Sequence, residues 1–166
     1  TAVPEVRAAE RVMDPRVAFI ISSFLNDAIQ RGTGRRARVL ERKDISGKTG
    51  TTNGPRDAWF SGFNRDLITT AWVGFDDYGP LGRREFGGTA ALPIWIDYMR
   101  DALPAAQPLP PMPPGIVRLR VDRESGLRVR GQPEGSMMEY FLEESLPDWQ
   151  SDAGSRFNPD DLDKIF

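Results

Sequence analysis

The sequence predicts an α+β fold in which an antiparallel sheet carries packed helices and is followed by a small β-rich appendage. Three observations predict it. A helix-periodic stretch opens at Asp14-Pro15, three short strand-like runs follow with only turn residues between them, and a proline-rich break precedes a further pair of alternating runs.

Asp14 can cap a helix, and Pro15 suits its first position, where an N–H would have no partner. Val17, Ala18, Ile20, Ile21, Phe24, Leu25, Ala28 and Ile29 then recur at three-and-four spacing, which gives a core-facing helix of about four turns, with Gly32 expected as its C-terminal cap. Phe24, Leu25 and Ile29 are read as packing residues. The basic run Arg35-Arg36-Ala37-Arg38 reads as a solvated loop. Strand character appears over 45–52, 58–63 and 68–75. The separators are four or five residues long and rich in turn formers, too short for a parallel crossover, so the strands should form an antiparallel meander. Thr89 is the expected cap of a second helix carrying Leu92, Trp95, Ile96, Met99 and Leu103 on one face. Trp72, Phe75 and Trp95 are expected in the core, because large aromatics contribute most where buried.

Six prolines fall within 104–115, which stiffens that segment as a linker. Beyond it, 116–121 and 127–130 alternate around Arg123-Glu124-Ser125-Gly126 and are expected to pair as a hairpin. The domain reading is therefore 1–103 as one folded part, 104–115 as linker, 116–145 as appendage and 146–166 as a flexible acidic tail.

Composition removes several chemistries. The 22 basic and 24 acidic side chains leave a net charge of −2, which offers no electrostatic reason for a nucleic-acid partner. There is no cysteine and no histidine, so thiolate chemistry, disulfides and a Ser-His-Asp triad built from this chain are excluded. The longest apolar run, near residues 17–25, falls short of the roughly 20 residues that a membrane span needs. Thr1-Ala2-Val3-Pro4-Glu5 lacks the basic and apolar regions of a signal peptide, and the chain is expected to be a piece of something longer.

Chemistry concentrates in Ser46-Gly47-Lys48-Thr49-Gly50-Thr51-Thr52. A phosphate-binding loop would need glycine at position 42, which is Arg42, and a helix after the lysine. In serine transpeptidases and β-lactamases, Lys-Thr-Gly lies on the strand bordering the cleft. The residue types suit that role, since lysine adds positive field, threonine hydroxyls donate to a carboxylate, and glycine permits close approach. By itself the string also suits an ordinary hydroxyl-rich edge strand.

The wider context is more specific. Arg42-Lys43-Asp44-Ile45 running into the motif, Asp57-Ala58-Trp59-Phe60-Ser61-Gly62-Phe63, Trp72-Val73-Gly74-Phe75-Asp76-Asp77, Arg31-Gly32-Thr33-Gly34-Arg35-Arg36-Ala37 and Gly87-Gly88-Thr89-Ala90-Ala91-Leu92-Pro93-Ile94-Trp95 together resemble the class A penicillin-binding proteins, the bifunctional peptidoglycan synthases. The resemblance runs from about Val12 to Leu103 and weakens through the linker and appendage. It implies a β-lactamase/transpeptidase-like fold and D,D-transpeptidation of stem peptides through an acyl-serine, inhibited by β-lactams. Lys48 then takes a supporting catalytic role, and Lys48, Thr49, Gly50, Thr51 and Thr52 line the substrate site, with the Thr51 N–H in the oxyanion hole. Asp57, Trp59 and Phe60 are read as structural.

That chemistry also needs a Ser-x-x-Lys and a Ser-x-Asn motif, and no serine of this chain is followed by either pattern. The expectation is therefore a C-terminal part that supplies one wall of the site, while the N-terminal remainder of the same enzyme supplies the nucleophile, the glycosyltransferase and an anchor at the periplasmic face of the inner membrane. The implied ligands are D-Ala-D-Ala stem peptides and β-lactams, no cofactor or metal is required, and an outer-membrane lipoprotein activator is a further partner the resemblance allows. A D,D-carboxypeptidase, a serine β-lactamase or a non-catalytic envelope assembly module are the alternatives.

Overall fold

The computed structural model describes residues 10–150, which fall into two compact units divided after Pro114. In the first unit, helix α1 (Pro15–Gln30) starts where Asp14 Oδ1 accepts the Arg16 N–H at 2.7 Å. Gly32 ends the helix differently from the expectation. Its φ is not positive, and the cap is Arg31, whose N–H donates to Asp27 O. A Cβ on Gly32 would stand 2.9 Å from the Ala28 backbone, so close chain approach is what calls for glycine there. The arginines of 35–38 are exposed as expected, but they belong to a 3₁₀ turn, Arg35–Leu40, anchored by buried Ala37.

Strands β1 (Ser46–Thr51), β2 (Asp57–Phe63) and β3 (Ile68–Gly74) form an antiparallel meander in the order β1-β2-β3. Ala58, Phe60 and Gly62 point to the buried face. There the edge of the Phe60 ring meets Trp95 at a centroid distance of 4.9 Å, and Trp95 Nε1 donates to Thr69 O. Trp95, Leu92, Ile96 and Met99 come from helix α2 (Leu92–Ala102) and are all buried. Gly62 is small because a Cβ would stand 2.5 Å from the Trp95 ring. Of the aromatics expected in the core, only Trp95 is buried. Trp72 is 45% exposed and Phe75 is 55% exposed. The period-2 pattern places Trp72 on the outer face beside Trp59, with ring centroids 5.9 Å apart and Trp72 Nε1 bonded to Asp57 Oδ1. Phe24 is likewise half-exposed, whereas Ile29 is fully buried.

Thr89 does not cap α2. A π-helical turn, Gly87–Ala91, precedes it and runs straight into the helix, with the Leu92 N–H donating to Gly87 O. The Thr89 hydroxyl instead ties the loop before the turn, accepting from the Phe86 N–H and donating to Arg84 O. Arg42 and Asp44 form a double-bonded ion pair at 2.7 Å that also holds the segment after α2: Arg42 Nη1 donates to Pro104 O, and Asp44 Oδ2 accepts the Gln107 N–H.

In the second unit, the expected pairing of 116–121 with 127–130 is only partly present. Strand β4 (Ile116–Asp122) pairs along its length with β5 (Ser136–Leu142), and 127–130 contributes an isolated bridge, Val121 to Arg128, on the other side of β4. The turn is tighter than a long hairpin, because Asp122 Oδ1 accepts the N–H groups of Glu124 and Ser125 and Gly126 has φ +72°. Residues 148–150, expected as the start of the tail, pair with Arg128. The rest of that expected tail, 151–166, lies outside the described residues.

Candidate functional site

The site is built on β1. Along an antiparallel ladder, residues alternately turn their peptide groups towards the partner strand and away from it. The Thr52 N–H donates to Asp57 O. In the register that pairs Gly50 with Trp59 and Lys48 with Ser61, Gly50 and Lys48 therefore bond to β2. Gly47, Thr49 and Thr51 turn their N–H and C=O groups outward, to the edge of β1 that no strand of the described residues covers.

Helix α1 occupies the start of that edge. Asn26 Nδ2 donates to Lys43 O and Ile45 O at 2.8 Å, and Ser46 Oγ bonds to Ser22 O. The remainder of the edge carries the motif. Lys48 lies on the opposite face from Thr49 and Thr51, yet its ammonium folds back over the edge, with Nζ 3.1 Å from Thr49 O and 3.2 Å from Thr49 Oγ1. Lysine, two outward peptide N–H groups and a hydroxyl thus gather at one strand edge.

Each expected site residue has a definite place. Thr49 Oγ1 lies 2.8 Å from Thr33 Oγ1 in the turn after α1. Thr51 Oγ1 accepts the Gly87 N–H at 3.0 Å and keeps its own proton for another acceptor. A Cβ on Gly50 would come within 3.2 Å of Trp59 Cβ, so this glycine makes room for the tryptophan on the outer face. Thr52 stands apart from the others: its hydroxyl accepts the Arg56 and Asp57 N–H groups and closes the β1–β2 turn.

Sequence reasoning assigns no role to the residues that support Thr49 and Thr51. Gly87 presses onto the β1–β2 ladder, where a Cβ would collide with Trp59 O and stand 2.5 Å from Gly50 O. At Gly88 a Cβ would lie 3.2 Å from Thr33 O, and Arg36 Nη1 donates to Gly88 O. The signal that could have found them is threonine between two glycines, Gly32-Thr33-Gly34, and the pair Gly87-Gly88.

A helix-flanked antiparallel sheet with Lys-Thr-Gly on its edge strand defines a transpeptidase-like α+β fold of the penicillin-binding class. The chain belongs to the class A penicillin-binding proteins, and its relatives there are forms of penicillin-binding protein 1A. It is 52% identical over 145 residues to penicillin-binding protein 1A of Pseudomonas aeruginosa, a match covering 86% of this chain and 18% of the relative. To the Neisseria gonorrhoeae protein of the same name it is 48% identical over 110 residues, covering 66% of this chain and 14% of that one. The crystal structure of penicillin-binding protein 1A from Haemophilus influenzae superposes with a TM-score of 0.73 at 40% identity, over 86% of this chain and 22% of that one. The chain thus spans less than a quarter of the length of each of these relatives. No family model matches it.

Proposed function

We propose that this chain supplies the Lys-Thr-Gly wall of the D,D-transpeptidase site in a bifunctional peptidoglycan synthase, and that the nucleophilic serine comes from the N-terminal remainder of the same enzyme. The observation that carries the reading is the outward-facing edge of β1, where the Lys48 ammonium sits on Thr49 O and Oγ1 and the Thr49 and Thr51 N–H groups turn away from β2. An extended stem peptide can lie along such an edge as an added strand.

In this reading the serine oxygen attacks the carbonyl of the penultimate D-alanine of a donor stem peptide. The Thr51 N–H donates to the oxyanion as it forms, an interaction whose loss costs about 10²–10³ in rate where it has been removed elsewhere. Collapse breaks the peptide bond and expels the terminal D-alanine, whose amine takes up the proton. A neighbouring peptide's amine then attacks the ester, forms the cross-link and returns the serine. Lys48 adds positive field beside the terminal carboxylate, and Thr49 and Thr51 donate hydroxyl bonds to it. β-Lactams enter by the same route and remain as acyl-serine esters. No metal or organic cofactor takes part in these steps. The working location is the periplasmic face of the inner membrane, with the anchor upstream; among the described residues no helix is long and apolar enough to cross a membrane.

The test is acylation of the complete enzyme by fluorescent penicillin. Thr51→Ala removes one charge-assisted hydrogen bond, and the acylation rate should fall about 10- to 100-fold. An unchanged rate would remove Thr51 from the site, and absence of any label on the wild-type enzyme would overturn the transpeptidase reading.

A further inference from the structure

We propose that Thr33, in the turn after α1, is a positioning residue that aims the Thr49 hydroxyl at the substrate carboxylate. The inference deepens the proposed function and rests on its assignment of Thr49 as a carboxylate donor.

The argument starts from one oxygen with two neighbours. Lys48 Nζ lies 3.2 Å from Thr49 Oγ1, and an ammonium only donates, so Thr49 Oγ1 accepts there. Thr33 Oγ1 lies 2.8 Å from the same oxygen, and either hydroxyl of that pair has a proton to give. With Lys48 holding one lone pair, the direction of the Thr33–Thr49 bond decides where the single Thr49 proton points. If Thr33 donates, the Thr49 oxygen receives two bonds and its proton is released outward. A carboxylate at the β1 edge favours that state, because each donor in the chain Thr33 to Thr49 to anion polarises the next. Without the Thr33 hydroxyl, Thr49 keeps its proton but loses the partner that fixes its rotation.

The turn is held firmly enough to aim a side chain. The Gly32 N–H donates to Asp27 O and the Gly34 N–H to Ala28 O at 2.8 Å, so the backbone on both sides of Thr33 is tied to the end of α1. Gly34 also packs closely on the helix end, since a Cβ there would stand a tight 3.2 Å from Ala28 O and 3.3 Å from Ile29 Cγ1. The Thr33 carbonyl lies near Gly88, where an added Cβ would stand 3.2 Å from Thr33 O, and Gly88 O accepts from Arg36 Nη1. The residue is exposed and contributes nothing to the buried core, so its hydroxyl bond to Thr49 is its distinguishing contact.

The experiment compares acylation of the complete enzyme by benzylpenicillin and by its methyl ester, which lacks the carboxylate charge. Thr33→Val should lower the rate with benzylpenicillin about fivefold, the worth of one neutral hydrogen bond, while leaving the ester rate nearly unchanged. Thr33→Ser, which keeps the hydroxyl, should restore the discrimination. Equal loss with both compounds would show that Thr33 only supports the strand, and this would overturn the proposal. So would an unchanged Thr33→Val enzyme, or a Thr33→Ser enzyme as impaired as the valine variant. A wild-type enzyme that does not prefer the acid over the ester would instead overturn the assignment of Thr49, and with it the site on which Thr33 acts.

Discussion

Asp44 illustrates how one side chain can fix two chain segments beside the site. Its carboxylate is nearly buried, bonded twice to Arg42, and accepts the Gln107 N–H. The Arg42 guanidinium holds its pKa below the usual carboxylate value. Burial opposes that shift, and the Gln107 N–H adds to it. A depressed folded-state pKa means that the stabilisation is fully present above the unfolded value of about 3.9, and is lost as pH falls through the lower folded value. Replacing Asp44 by alanine leaves Arg42 without its carboxylate and the Gln107 N–H without its acceptor, while Gln107 Nε2 keeps its bond to Asp66 Oδ2. Amide exchange at Gln107 should then accelerate about 10- to 100-fold at neutral pH, matching about 1.5–3 kcal/mol for a hydrogen bond to a charged group. In the wild type the same protection should fade as pH falls below the ordinary carboxylate value. Exchange unaffected by Asp44→Ala would show that the Gln107–Asp66 bond and proline stiffness, and not the ion pair, hold the segment. Arg42 and Asp44 stand in the sequence string that carries the family resemblance, but their partner Gln107 is 63 residues away from Asp44, a distance that no local pattern encodes.

Elements are legible in the sequence where local chemistry and long-range packing agree. Helix α1 has both a cap and a periodic face, and the three strands of the meander lie within a residue or two of their expected limits because turn formers bracket them. Strand β5 escapes a reading by pattern because Ser-Met-Met-Glu-Tyr-Phe-Leu is an almost continuous apolar run with no alternation, and every one of its residues is partly buried. The entry to α2 misleads for a related reason: Thr89 has the chemistry of a cap, but the backbone keeps winding as a π-turn so that Gly87 can press on the β1–β2 ladder. That contact gives a sharp prediction. Gly87→Ala would drive a methyl group into Trp59 O and Gly50 O, and backbone atoms cannot swing aside as a side-chain tip can. The variant should lose about 3 kcal/mol of stability, together with the Gly87 N–H to Thr51 Oγ1 bond, so its thermal midpoint and its acylation rate should fall together. Gly88→Ala meets Thr33 O at 3.2 Å and Thr49 Cγ2 at an ordinary 3.7 Å, and should be milder in both measurements. Equal effects at the two glycines would place the contact elsewhere.

At the scale of the whole molecule, the features assigned to substrate lie within the first compact unit. Lys48, Thr49 and Thr51, their support from Thr33 and Gly87, and the Trp95 core beneath them all precede Pro114, the last residue of that unit. Even the proline-rich segment makes its Arg42 and Asp44 bonds through Pro104 and Gln107, inside the same unit. The second unit carries its own β4–β5 pairing and its own aromatic contacts, with the Arg128 guanidinium 4.6 Å from the Trp149 ring centroid. A contribution confined to the first unit predicts the outcome of a deletion. Ending the complete enzyme after Pro114 should leave its penicillin acylation rate within about twofold, since among the described residues the hydrogen bonds of the proposed site all lie in the first unit and a twofold change corresponds to only about 0.4 kcal/mol. Acylation kinetics and the thermal midpoint of the penicillin-binding part should be measured together, because they separate two ways of failing. A slower rate at an unchanged midpoint would place a catalytic contribution in residues 115–166, whereas a lowered midpoint would make the second unit a structural support of the first.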